Sequence, residues 1–269
     1  MYAFAYHRPS TVDEAVSLMT SDDIQYLAGG QTLIPTLKQR LAMPDALVDL
    51  GGIETLKGIR RDHVDGGDHI VVGAGTPHAD VASSDLVRDV LPALADLASQ
   101  IGDAQVRNRG TIGGSVANAD PAADYPAAVI GLGATVRTSK RAIAGDDYFQ
   151  DLFTTALEPG ELIIEIAFPI PEVAAYAKFA QPASGYAVAG VMVARMPGGA
   201  IRVGVTGAAP YALRATALEV ALAADFSPAA AKAVTIPADG LNSDLHATPE
   251  YRAALVTAMA ARAVAACGG

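Results

Sequence analysis

Apolar positions switch between helical and strand spacing along the chain, and the switches outline its elements. Residues 11–20 read as a helix, with Thr11 as N-cap and Glu14 at the capping-box position. Ile24 to Ala28 is a short apolar strand that Gly29-Gly30 interrupts. Leu33, Ile34, Leu37 and Leu41 then recur at helical spacing, Lys38, Gln39 and Arg40 fill the other face, and Pro44 closes the helix. Ala46 to Leu50 is the next strand. The result is a strand, a glycine turn, a helix and a second strand.

Residues 51–68 are polar and glycine-rich, with a hairpin expected near Asp65-Gly66-Gly67-Asp68. Ile70 to Val72 is a buried strand. Asp80 to Gln100 carries helical spacing, with Leu86, Val90, Leu94 and Leu97 on one side. A glycine-dense loop follows Arg107-Asn108-Arg109, and a helix is expected from Pro121 to Leu132. Ala134–Arg137 and Leu162–Phe168 are strands. Pro169-Ile170-Pro171-Glu172 reads as a linker. Beyond it, Tyr186–Met196 and Ile201–Ala208 are strands joined by Pro197-Gly198-Gly199, and Ala215–Asp225 and Pro249–Ala266 are alanine-rich helices. No internal repeat is visible. The reading is an α+β chain of three parts: an N-terminal α/β unit (1–55), a middle α/β unit (56–168) and a C-terminal α+β domain (169–269).

Composition narrows the function. The 269 residues are 51% hydrophobic and 18% charged, a globular balance with room for such parts. A formal net charge of −10 disfavours nucleic-acid binding and docking on an anionic membrane. No apolar run is long enough to insert in a membrane, and the N-terminus lacks the pattern of a signal peptide, so a cytoplasmic location is expected. The single cysteine, Cys267, cannot hold an iron–sulfur cluster, and the five histidines show no ligand spacing. No metal site is expected on this chain, and redox chemistry here would need an organic cofactor.

Two segments are candidates to hold one. Ala28-Gly29-Gly30-Gln31-Thr32-Leu33 places paired glycines between a strand and a helix, where backbone N–H groups can meet phosphate. Gly110-Thr111-Ile112-Gly113-Gly114-Ser115 offers hydroxyls and a backbone nest for an anion. Together they suit the two phosphates of a dinucleotide. Arg107 and Arg109 could neutralise phosphate or meet an acidic redox partner, and an ion pair within the chain is the expectation for at least one. Val72-Gly73-Ala74-Gly75-Thr76-Pro77-His78 starts like a Rossmann fingerprint, but Pro77 and His78 break it, and a turn with helix entry is expected. Asp120 serves equally as a helix cap or a ligand contact; Asp124 has the better claim to a ligand. Tyr186, after Gly185, could cover a flavin ring or simply pack in a strand. No hydrolase elbow or Walker lysine is present.

Residues 28–35, 105–115 and 119–124, extended by Leu157-Glu158-Pro159-Gly160-Glu161-Leu162-Ile163 and by Lys178-Phe179 through Val188, resemble the FAD-binding medium subunits of molybdenum hydroxylases. The resemblance covers nearly the whole chain. It implies a two-part FAD-binding region of the vanillyl-alcohol-oxidase type followed by a C-terminal domain of antiparallel sheet and helices. Ala28 to Leu33 and Thr111, Ile112, Gly113, Gly114 and Ser115 would hold the pyrophosphate. Asn118, Asp120, Asp124, Ile163, Lys178 and Tyr186 match further flavin contacts. Many relatives carry Asn at the position of Ser115 and His at that of Asn118. The resemblance also implies a small subunit with [2Fe-2S] clusters and a large subunit with a molybdopterin cofactor, in a heterotrimer or a dimer of heterotrimers. This chain would then pass electrons from the clusters to an external acceptor and need no catalytic acid or base. A stand-alone FAD-dependent oxidase and a non-catalytic nucleotide-binding module are the alternatives.

Overall fold

The first sheet grows from the N-terminal strand–turn–helix pattern. In the computed structural model, which describes residues 1–64 and 66–269, β1 (Ala5–His7), β2 (Ile24–Leu27) and β3 (Ala46–Asp49) pair in parallel in the order β1-β3-β2. Parallel pairing needs crossovers, supplied by α1 (Val12–Ser17) and α2 (Leu33–Lys38). The Thr11 hydroxyl caps α1 by accepting the Glu14 N–H at 3.2 Å, and the Glu14 carboxylate accepts the Ser10 N–H at 2.9 Å. Both helices are shorter than expected. Past α2, Arg40 takes a left-handed φ of 60°, and Leu41 points to solvent at 74% exposure instead of continuing the apolar face. Ala15, Val48, Leu50, Ile53 and Leu56 form a small core, closed by Leu162 from the middle of the chain.

Two 3-10 turns (Leu50–Gly52 and Glu54–Leu56) lead into β4 (Ile59–Val64), a strand the polar 51–68 segment conceals. It forms the expected hairpin with β5 (Gly67–Gly73), although Asp65 lies outside the described residues. β6 (Thr135–Thr138), β7 (Ala142–Ala144) and, after α9 (Gly145–Tyr148) and the small β8 (Phe149–Asp151)–β9 (Thr154–Thr155) hairpin, β10 (Ile163–Pro169) complete an antiparallel sheet of order β4-β5-β10-β6-β7.

The helical stretch expected at 80–100 is three helices: α3 (His78–Ser83), α4 (Asp85–Val90) and α5 (Pro92–Ser99). Ser84 stops the first by capping the second, its hydroxyl accepting the Val87 N–H at 3.3 Å, and Pro92 lacks the N–H needed to continue α4. Next come α6 (Ala104–Arg109), α7 (Ile112–Asn118) and α8 (Tyr125–Gly131). α8 begins later than Pro121. Asp120 is therefore not its cap; Oδ1 accepts the Ala122 N–H at 2.9 Å and shapes a turn.

β11 (Val173–Ala180), β12 (Ala187–Arg195), β13 (Ile201–Thr206) and β14 (Leu213–Arg214) form the third sheet, antiparallel in that order. α10 (Thr216–Ala224), α11 (Pro228–Ala233) and α12 (Pro249–Ala266) cover one face. α8 presses on the other: a Cβ on Gly131 would stand 2.8 Å from that of Met192. Consequently β12 is buried on both faces rather than alternating. Val191 and Val193 pack with the C-terminal helices, whereas Tyr176, Met192 and Ala194 join the core of the middle sheet. The architecture is α+β.

Candidate cofactor site

A cleft of about 1230 Å³ opens beyond the C-terminal end of β2, between that edge, α6–α7 and the 181–186 turn. It exceeds the roughly 300–1,000 Å³ usual for small-molecule pockets. An extended ligand of dinucleotide size suits it.

One wall is Ala28 to Leu33. Among the described residues, the N–H groups of Gly29, Gly30, Gln31, Thr32 and Leu33 find no acceptor in the protein. Gly30 enables this run by turning the chain at a φ of 72°. Consecutive unpaired donors in a turn form an anion-binding concavity.

The opposing wall corrects the reading of residues 110–115 as a loop. Most of it is the first turn of α7, and its donors are already engaged. Ile112 N–H donates to the Thr76 carbonyl at 3.1 Å, Gly113 N–H to that of Ala74 at 2.9 Å, and Gly114 N–H to the Thr111 hydroxyl oxygen at 3.1 Å. A Cβ on Gly113 would lie 2.5 Å from that of Ala74, so this glycine serves helix–strand packing. What the wall offers is side chains. Thr111 and Ser115 carry hydroxyls, and neither the Ser115 hydroxyl nor the Asn118 amide has a partner among the described residues. The walls touch: a Cβ on Gly29 would stand 2.7 Å from Gly110 Cα.

Asp120, Asp124, Ile163 and Tyr186 also line the cleft. Tyr186 is 51% exposed, after the Ser184-Gly185 turn. Burial, and then the charges of Asp120 and Asp124, push its hydroxyl above the usual tyrosine range. Behind it lies a buried network. The Tyr176 hydroxyl donates to Asp124 Oδ1 at 2.6 Å, and Lys178 Nζ donates to Asp124 Oδ2 at 3.2 Å, Gln100 O at 2.8 Å and Gly185 O at 3.0 Å. Burial raises the Asp124 carboxyl above its ordinary value, and the Lys178 charge and the Tyr176 bond oppose that rise.

Two candidates stand off the wall. Ile112 is 0% exposed and belongs to the core below. The Lys178 side chain, 4% exposed, is enclosed by the acceptors just named. The interrupted Rossmann-like stretch is a turn and helix entry, with α3 starting at His78.

Sequence reasoning missed three wall residues. His78 is buried, with Nδ1 unpaired and its ring centroid 5.3 Å from that of Tyr125; burial, then the charge of Arg107, pushes its pKa down to about 4. Tyr26 donates to the Gly160 carbonyl at 3.0 Å, joining the first sheet to the turn before β10. Glu161 accepts from Thr138 Oγ1 at 2.6 Å, from Arg141 Nε at 3.2 Å and from its neighbour Glu158 N–H at 2.8 Å, fixing the same turn. None carries a local sequence signal, because each depends on a partner remote in the chain or on burial. Nor does Arg107 or Arg109 form the expected ion pair. Arg107 Nη1 donates to the Ile101 and Gly102 carbonyls at 2.9 and 3.1 Å, and Arg109 has no partner among the described residues.

Fold and cleft together define a protein built to hold a dinucleotide cofactor. The family follows from comparison: the profile of the FAD-binding domain in molybdopterin dehydrogenase matches residues 2–171, and the chain belongs to that family. It is 38% identical to the carbon monoxide dehydrogenase medium chain of Afipia carboxidovorans, over 97% of this chain and 96% of that one. In structure it resembles carbon monoxide dehydrogenase from Hydrogenophaga pseudoflava lacking the Mo-pyranopterin moiety of its cofactor (TM-score 0.87, 36% identity, 99% and 98% coverage). Quinoline 2-oxidoreductase from Pseudomonas putida 86 is similar as well (TM-score 0.86, 29% identity, 99% and 97% coverage). The chain is thus a FAD-binding medium subunit of the molybdenum hydroxylase family, an oxidoreductase component.

Proposed function

We propose that this chain is the electron-transfer subunit of a heterotrimeric molybdenum-containing hydroxylase or dehydrogenase. Its FAD would take electrons from [2Fe-2S] clusters on a small partner and deliver them to an external acceptor, while substrate is oxidised at the molybdopterin cofactor of a large partner. The observation that carries this reading is the row of unpaired N–H groups from Gly29 to Leu33, facing the Thr111 and Ser115 hydroxyls across one cleft. Such donors suit the anionic oxygens of a pyrophosphate.

The residues divide the work. Gly29, Gly30, Gln31, Thr32 and Leu33 present backbone donors, and Thr111, Ser115 and Asn118 present side-chain groups. Asp120 and Asp124 line the same cleft and would be the acceptors nearest to hand for ribityl hydroxyls, and Tyr186 and Ile163 would offer apolar surface to the ring system. Gly29 against Gly110, and Ala28 against Gly114, keep the walls close, while Gly113 seats α7 on Ala74. Among the described residues no group of three or more His, Cys, Asp and Glu could hold a metal. Among the described residues no helix is long and apolar enough to cross a membrane; a cytoplasmic location is part of this proposal.

The test is to express the chain alone and with the subunits encoded beside it, and to record visible spectra. Flavin bands that bleach when substrate is given to the assembled complex, but not to the lone chain, are expected. Oxidation of an organic substrate by the lone chain would favour a stand-alone oxidase instead. A colourless protein that takes up no added FAD, alone or assembled, would leave a nucleotide-binding module without redox function.

A further inference from the structure

Resting on the FAD reading, we propose that Arg109 is the cation that compensates the cofactor's pyrophosphate. Carboxylates crowd the cleft: Asp80, Asp103, Asp120, Asp124 and Glu161 all line it, in a chain of net charge −10. Some are already answered. Asp124 faces Lys178, and Glu161 faces Arg141 at 3.2 Å. A pyrophosphate would still add negative charge to an acidic cleft, and neutral N–H groups offset only part of it.

The cations on the wall can be sorted by what they already touch. Lys57 Nζ is held by Glu54 at 2.7 Å and by the Gly51 carbonyl at 3.1 Å. His78 is held neutral by burial. Arg107, just off the wall, is bound to two carbonyls. Arg109 lines the cleft, is exposed, and has neither an acidic nor a carbonyl partner among the described residues. Its backbone is rooted beside the donor row, since a Cβ on Gly29 would collide with the Arg109 carbonyl. From that root a long side chain reaches the space that Gly29 to Leu33 and Thr111 enclose. A guanidinium there would bind phosphate oxygens bidentately and bring a full positive charge, which a row of neutral backbone donors lacks.

The full-length apoprotein provides the test. FAD and riboflavin, which lacks the phosphates, are titrated into wild type, Arg109→Gln and Arg109→Lys at low and high salt. Arg109→Gln is expected to weaken FAD binding about tenfold or more at low salt and to flatten its salt dependence. Arg109→Lys should recover part of the loss. Riboflavin affinity and the thermal midpoint should not change, because Arg109 holds nothing within the chain. Arg107→Gln, by contrast, should lower the midpoint and leave the salt dependence of FAD binding intact. FAD binding by Arg109→Gln equal to wild type at low salt would overturn the proposal, including when the variant fails instead to accept electrons from a partner subunit. An equal loss for FAD and riboflavin would overturn it too. Wild type that binds no FAD would defeat the underlying cofactor reading first, and is recognised by the absence of any titration in the control.

Discussion

Gly29 and Arg109 meet backbone to backbone: the space for a Cβ on Gly29 is filled by the Arg109 carbonyl and by Gly110, whose Cα would stand 2.7 Å away. The two glycine-rich segments are thus one packed unit, and their separation sets the width of the cleft. Gly29→Ala should push the walls apart. An overpacking loss of about 1–3 kcal/mol is expected in chemical denaturation, together with weakened FAD retention. Gly114→Ala, whose Cβ would stand 2.9 Å from a hydroxyl oxygen, should cost less. Equal stability of Gly29→Ala and wild type would show that the walls are not in this contact.

Lys178→Met should be the most damaging single change near the cleft. It leaves the Asp124 carboxylate buried without its counter-ion, at a cost of about 3–5 kcal/mol near neutral pH. Asp124 already has a raised pKa, and this variant raises it further. Such a group contributes stability that is present below the ordinary carboxylate range and lost as pH rises through the raised value. The deficit relative to wild type should therefore shrink as pH is lowered, which denaturation at several pH values measures. Tyr176→Phe, losing one 2.6 Å bond to the same carboxylate, should cost about 1.5–3 kcal/mol.

His78 predicts a dependence of the opposite sign. Its pKa is depressed to about 4, so its contribution is present above the unfolded value of about 6.5 and lost as pH falls toward the folded one. His78→Phe removes the group that must be kept neutral, and with it the unpaired Nδ1. Unfolding midpoints between about pH 4 and about 6.5 should vary less with pH in the variant than in wild type. Identical slopes would place the acid sensitivity elsewhere.

Tyr26→Phe deletes the 3.0 Å bond to the Gly160 carbonyl and nothing else of the ring's packing. A loss of about 0.5–1.5 kcal/mol is expected. Because Tyr26 and Leu162 both line the cleft, FAD should also dissociate faster from the variant. Stopped-flow exchange against a competing flavin would measure the rate.

Local chemistry made much of this legible in advance. The Thr11 cap, the parallel first sheet's strand–turn–helix order and both cleft segments follow from neighbours in sequence. Tertiary terms decided the rest. Ser84 and Pro92 cut an unbroken apolar period into three helices, because capping and a missing N–H outweigh periodicity. β4 is polar because its sheet edge faces solvent, so it carried no apolar signal. The glycines at 113 and 114 suggested a nest, yet what they accommodate is the strand end at Ala74 and the cap at Thr111. Lys178 matched a flavin contact, but its three acceptors come from residues 100, 124 and 185, a convergence no local pattern encodes.

The strand buried on both faces has a bearing on modularity. The FAD-binding domain profile ends at residue 171, but Tyr176, Met192 and Ala194 beyond it complete the core of what precedes it. The segment that the profile spans is therefore smaller than the segment that must fold cooperatively. A fragment cut at the family boundary would expose the α8 surface that β12 and β13 cover, and transplanting this cofactor module into another protein requires carrying the third sheet with it.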